Sequence, residues 1–228
     1  RDTALRLGVP FISGKDSLNN EYNFKGRSIS IPGTLLISAI SVIDNYKRAV
    51  TSYFKREESL IYIIGKTFQE LGGSIYYELK GFLGNEVPKH NPKMAKRIFS
   101  ALNRITNLGL ALSIHDCSEG GLAVALAEMT FGGDLGVEVF LREVPLSLEE
   151  ARDDFILFSE SNSRFVVEVE RKNQKRFEKI LKTEKVPFGL IGCVRKEPIF
   201  KVYGLEGKVC LDTEIKILRE AWQKTLRW

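Results

Sequence analysis

The sequence is short of the residues that most often advertise chemistry. Its three cysteines, Cys117, Cys193 and Cys210, are odd in number and lack CxxC spacing. That argues against a disulfide framework or a zinc site and fits a reducing, cytoplasmic setting. Only two histidines are present, His90 and His115. No apolar run approaches ~18 residues, so no segment reads as a membrane span and no membrane partner is expected. No run of five like charges marks a basic arm, and neither an internal repeat nor a low-complexity tract is visible. The opening "RDTALRLG" lacks the layout of a signal peptide. It begins at Arg1 rather than methionine, inside an apparent helix, so further sequence upstream is expected.

What is present is ordinary globular composition. Over 228 residues, 43% hydrophobic and 28% charged side chains suffice for one large domain, or one domain and part of another. The net charge of +5 suits acidic ligands such as phosphates. The charges are interspersed, as in "KREES" and "RKNQKRFEK", which reads as solvated surface; no nucleic-acid partner is expected.

Residues 2–8 read as a helix stopped at Gly8, and "VPFIS" as a short buried strand leading into the polar "GKDSLNNEY". "SISIPGTLLISAISVID", residues 28–44, reads as one long β-branched strand entered through a bend at Pro32-Gly33. A charged connector follows, with a domain boundary near residues 50–58. Beyond it, strands and helices alternate. Asn91-Pro92 predicts a helix start, with Met94, Ile98, Leu102 and Ile105 on one face and an end at Asn107-Leu108-Gly109. "LALSIHD" reads as a strand and "GGLAVALAEMTF" as a helix apolar nearly all round, hence buried. Strands are expected at "LIYIIG", "RFVVEVE", "FGLIGCV", "IFKVYG" and "KVCLDT", a surface helix at "KNQKRFEKILK", and a terminal helix from "EIKILRE". The order predicts an α+β domain with helices packed on a mixed sheet.

Two loops share one layout, an apolar strand running into small and polar residues. In "IHDCSEGGLAVAL", Ser118 is a candidate N-cap, and Gly120 and Gly121 would let a ligand approach first-turn N–H groups. Asp116, at the strand end, is a candidate Mg²⁺ ligand. The same residues also suit a tightly packed helix start with no ligand. "SGKDS" lacks the spacing of a Walker A loop, and its Lys15-Asp16 pair also fits a plain turn. His115 and Cys117, two apart on a strand, admit a Cys–His nucleophile, but no third orienting group is evident, and a buried structural cysteine fits better. In "FSESNSRF", Glu160, Ser161, Asn162 and Arg164 stand together before a strand. Arg164 is a candidate phosphate grip, and a structural Glu–Arg pair is the alternative.

Taken in order, "GVPFISGKDSLNNEY", "IPGTLLISAISVID", "LGGSIYYELKG", "IHDCSEGGLAVALAEMTFGGDLGVEV" and "LFSESNSRFVVEV" resemble the formylglycinamidine ribonucleotide (FGAM) synthase family, in the second half of its synthetase component. The family lies in the AIR synthase-related superfamily. The resemblance implies a protein of two A–B units, of which residues 1–55 would be the end of the second A domain (AIR synthase-like N-terminal) and residues 56–228 the second B domain (AIR synthase-like C-terminal). It implies ATP-dependent conversion of FGAR and glutamine (or ammonia) to FGAM in purine biosynthesis, through an iminophosphate.

The resemblance also implies roles for single residues. Gly14, Lys15 and Ser17 match a loop that reaches the active site of the first half. An ammonium cannot ligate a cation, which argues against a Mg²⁺ role for Lys15. Asp116 and Ser118, with Gly120 and Gly121, match an auxiliary ADP–Mg²⁺ site, and Glu160, Ser161 and Arg164 the counterpart of a substrate-binding segment. The family's catalytic histidine has no counterpart here, so no catalytic residue is expected in this chain. Implied partners are the rest of the synthetase chain, a glutaminase domain or subunit, a small accessory subunit and FGAR. Two alternatives remain: another ATP-dependent enzyme of the superfamily, against which "GKDSLNNE" argues, and a non-catalytic scaffold whose ADP is structural.

Overall fold

The computed structural model describes residues 1–15, 20–33 and 35–224, which divide into two compact units, Arg1–Lys47 and Arg48–Trp228. In the first, helix α1 (Asp2–Leu7) ends at Gly8 as expected, and strands β1 (Glu21–Phe24) and β2 (Arg27–Ser30) form an antiparallel hairpin across Lys25-Gly26. Two expectations fail here. "VPFIS" forms no strand, and Phe11 and Ile12 are exposed rather than buried. The long strand expected over 28–44 is realised only at its start, in β2; the described residues from 31 to 44 are exposed and irregular. A strand's N–H and C=O groups need a neighbouring strand. The described residues of this unit offer only a hairpin of two four-residue strands.

The second unit is built on strands β3 (Leu60–Ile64), β4 (Thr67–Phe68), β5 (Ser113–Asp116), β6 (Gly136–Phe140), β7 (Leu146–Ser147), β8 (Phe165–Val169), β9 (Phe188–Arg195), β10 (Ile199–Tyr203) and β11 (Val209–Glu214). Its helices are α2 (Ile75–Leu79), α3 (Pro92–Asn107), α4 (Gly121–Phe131), α5 (Asp153–Phe158), α6 (Gln174–Thr183) and α7 (Ile215–Lys224). Seven strands make one mixed sheet in the order β11-β10-β6-β9-β3-β8-β5, in which β6 and β10 run parallel and the other neighbours antiparallel. β4 and β7 form a separate parallel pair.

Helices cover both faces of the sheet, which is why β3 reads as the unbroken apolar run "LIYII". Ile61 and Ile63 pack with Leu122, Leu126 and Met129 of α4 and Ile156 of α5. Leu60, Tyr62 and Ile64 pack with Ile98 and Ile105 of α3 and Phe177 and Leu181 of α6. Each such side chain removed from water contributes about 1.5–3 kcal/mol. α3 starts where expected: the Asn91 side chain accepts the Met94 N–H at 3.1 Å, and Pro92 opens the first turn. Tyr62, inside the sheet, donates its hydroxyl to Glu178 at 2.8 Å, and burial raises its pKa. Among the described residues, no helix is long and apolar enough to cross a membrane.

Candidate functional site

The antiparallel pairing of β5 with β8 sets Asp116 opposite Phe165, so the end of one strand meets the start of the other. The Cys117 N–H extends the ladder to the Arg164 carbonyl at 2.9 Å. Residues 116–118, Glu160 and residues 162–165, forty-odd positions apart in sequence, thereby line one groove of about 500 Å³, together with Pro88, His90 and Phe99.

Asp116 is the groove's exposed carboxylate, with 60% of its side chain accessible. The Ser118 hydroxyl donates to it. That corrects the expected capping role: the N-cap of α4 is Gly120, which has no side chain to cap with, and Ser118 does not supply one. Gly120 and Gly121 both have positive φ, 75° and 65°. A Cβ at Gly121 would lie 2.9 Å from the Leu157 carbonyl oxygen and closer still to that of Ser159. Their small size therefore serves backbone shape and close packing.

The start of α4 already faces a negative charge. Glu160 Oε1 accepts the Gly120 N–H at 2.8 Å and also the Ile75 N–H of α2 at 3.2 Å. One carboxylate from the 158–164 loop thus satisfies two helix starts and complements their dipoles. Gly121 N–H goes to the Ser118 carbonyl at 3.0 Å.

Arg164 borders the groove but turns inward. It is 1% exposed, and its guanidinium donates to the Ser161 carbonyl at 3.1 Å, to Thr67 Oγ1 at 3.0 Å and to the Ser159 carbonyl. Ser161 is likewise buried, and its Oγ accepts the Phe68 N–H at 3.0 Å. Both knit the 158–164 loop to β4. Cys117 is buried, and burial pushes its thiol up to about 11, with Arg164 opposing and Asp116 adding to the shift. Such a thiol is structural, as expected, rather than a nucleophile. His115 has the Asp116 carbonyl 2.7 Å from Nδ1 and the Glu128 carboxylate 3.1 Å from Nε2.

The structure therefore brings Asp116, Ser118, Gly120, Gly121, Glu160, Ser161 and Arg164 together. Gly14 and Lys15 are exposed in the first unit, and Ser17 lies outside the described residues. Among the described residues, no group of three or more His, Cys, Asp or Glu side chains could hold a metal by itself. Sequence reasoning missed Pro88 and His90, which line the groove from a segment without periodicity or motif.

Residues 44–204 match the family model "AIR synthase related protein, C-terminal domain". The chain is 31% identical over 221 residues to phosphoribosylformylglycinamidine synthase subunit PurL of Caldanaerobacter subterraneus, covering 96% of this chain and 28% of the relative. It is 36% identical over 203 residues to the subunit of that name from Symbiobacterium thermophilum, covering 87% of this chain and 25% of the relative. Thus it spans little more than a quarter of these curated relatives. Among solved structures, T. maritima PurL complexed with FGAR superposes with a TM-score of 0.68 at 23% identity, over 76% of this chain and 30% of that one, a likeness of fold.

Proposed function

Since this chain belongs to the AIR synthase related family through its C-terminal domain, we propose that it is part of an FGAM synthase, the ATP-dependent enzyme that converts FGAR and glutamine to FGAM. The expected division into residues 1–55, the end of an AIR synthase-like N-terminal domain, and 56–228, the C-terminal one, then falls after the start of the family match at 44 and of the second compact unit at Arg48. What supports this is the ordered match to curated relatives of that name together with the groove at the β5–α4 junction. The reaction belongs to the whole enzyme, in the cytoplasm. Its partners are the remainder of the synthetase chain, a glutaminase domain or subunit, a small accessory subunit and FGAR.

Within that enzyme, the groove holds a nucleotide, ADP or ATP, with Mg²⁺. A single exposed Asp116 carboxylate fits Mg²⁺ that is bound mainly by phosphate oxygens and water, since Mg²⁺ takes one or two protein carboxylates in such sites. When bound, the ion would neutralise phosphate charge. The Ser118 hydroxyl orients Asp116, Glu160 holds the two helix starts that frame the site, and Ser161 and Arg164 fix the loop that carries Glu160. Gly14, Lys15 and Ser17 are then assigned to the loop that serves phosphate or substrate at the active site of the first half.

One observation favours a more structural role for the α4 start. The Gly120 N–H that an incoming phosphate would use already serves Glu160. In that reading the nucleotide is a permanent part of a scaffold and co-purifies with the protein.

Titration of the full chain with ADP–Mg²⁺, wild type against Asp116→Asn, tests the groove. Affinity is expected to fall about tenfold or more, equivalent to roughly 1.4 kcal/mol. The melting point should fall with it when nucleotide is present, because a ligand of the folded state stabilises it. Equal affinity and equal nucleotide content by mass spectrometry of the denatured protein would leave Asp116 as a helix-start residue only.

A further inference from the structure

Residues 82–90 supply one side of the groove through Pro88 and His90, yet they contain no helix or strand. Hydrogen bonds to the segment just after β4 keep them in place. Gly72 N–H donates to the Glu86 carbonyl at 2.8 Å, and Gly73 N–H to the Leu83 carbonyl at 2.7 Å. The approach is close enough that a Cβ on Gly72 would meet the Glu86 backbone at 2.9 to 3.0 Å. Glu70 makes the bond nearest the groove: its Oε1 accepts the Lys89 N–H at 3.0 Å. Lys89 sits between the two lining residues, so this bond fixes both.

Glu70 is anchored to the other side of the groove as well. Its carbonyl accepts the Glu160 N–H at 3.2 Å, and the Glu160 carboxylate in turn holds the Gly120 N–H of α4. Glu70 is 6% exposed, so water competes weakly for its carboxylate. Its Oε2 has no hydrogen-bond partner among the described residues, which leaves the Lys89 bond as the one the carboxylate makes.

We infer that Glu70 is a positioning residue: by holding Lys89 it sets where Pro88 and His90 stand, and so the width of the groove opposite Asp116 and Ser118. The consequence for ligand affinity rests on the nucleotide reading above; the consequence for the loop does not.

The test compares Glu70→Ala and Glu70→Gln in the full chain, by hydrogen–deuterium exchange over residues 82–91 without ligand and by titration with ADP–Mg²⁺. Glu70→Ala should speed exchange at Lys89 about tenfold, the loss expected for one hydrogen bond to a charged group. β3 and β8 should keep wild-type protection, and ADP–Mg²⁺ should bind more weakly. Glu70→Gln retains an acceptor oxygen and should restore both. Unchanged exchange over 82–91 in Glu70→Ala overturns the inference. So does a rise spread evenly over the whole unit, which is what a purely stabilising role predicts. Should Glu70→Ala fail to fold, Gly72→Ala pushes on the Glu86 backbone without touching the carboxylate. It should raise exchange over 82–91 alone, and wild-type exchange there is the overturning result. If wild type itself does not bind ADP–Mg²⁺, the nucleotide reading fails, while the exchange pattern still decides the role of Glu70.

Discussion

Ser113 on β5 and Glu168 on β8 face each other across the two strands, and the serine hydroxyl donates to the buried carboxylate at 2.9 Å. The same carboxylate accepts the Lys55 N–H at 2.9 Å, the Arg56 N–H at 3.0 Å and the Ser59 hydroxyl at 2.7 Å. Glu168 therefore clamps the charged connector before β3 onto the sheet edge that ends at Asp116.

Glu168→Ala leaves the buried Ser59 and Ser113 hydroxyls and the half-buried Lys55 and Arg56 N–H groups without their acceptor. Its cost should be about 3 kcal/mol or more, because breaking a buried charged hydrogen-bond set strands its partners. Ser113→Ala removes one bond and should cost about 1 kcal/mol. Urea unfolding of the two variants measures both; a cost under about 1 kcal/mol for Glu168→Ala would mean the clamp adds nothing net.

Cys117 supplies a pH dependence. Its thiol stands near 11 in the folded protein because burial disfavours the thiolate, against a reference of 9.0. The unfolded chain loses this proton first, so the folded state binds more protons above about pH 9 and stability falls as pH rises towards 11. The loss should approach roughly 2–3 kcal/mol for a shift of this size. Melting curves from pH 8 to 11 should fall more steeply for wild type than for Cys117→Ala. At neutral pH, iodoacetamide should label exposed Cys210 well before Cys117. Parallel melting curves for the two proteins would refute the assignment.

Gly121 and Gly109 both have positive φ, 65° and 62°, but differ in surroundings. A Cβ at Gly109 meets nothing within 4 Å, so Gly109→Ala should cost only about 1 kcal/mol of backbone strain. At Gly121 a Cβ would collide with the carbonyls of Leu157 and Ser159, so Gly121→Ala should cost several times more and should loosen α4. Chemical denaturation separates them; similar costs would show that α4 shifts freely at its start.

The elements of the second unit were legible because each carries its signal locally. "LIYII" has the length and composition of a strand covered on both faces, Asn91-Pro92 the chemistry of a helix start, and "GGLAVALAEMTF" the composition of a helix without an exposed side. The same local signals misled at "VPFIS" and over 31–44, where β-branched residues satisfy strand propensity but the described residues of that unit provide no strand to pair with.

The groove was half legible. "HDCSEGG" marks a strand running into a glycine-bearing helix start from sequence alone, but the Ser118 hydroxyl goes to Asp116 rather than to the helix start. Which polar residues face a ligand and which face the protein depends on partners far along the chain. Glu160 reaches back forty residues to Gly120, and Arg164 reaches Thr67, 97 residues away, rather than the groove. Glu168 sits in "FVVEVE", where alternation reads as solvent-facing, yet it is buried, because Ser59 and Ser113 bring donors from 109 and 55 residues away. Periodicity and composition determine which segments become strands and helices, since those depend on backbone propensity and one apolar face. Only the folded sheet decides whether a carboxylate or guanidinium is buried, because that is affordable only where distant donors and acceptors converge on it.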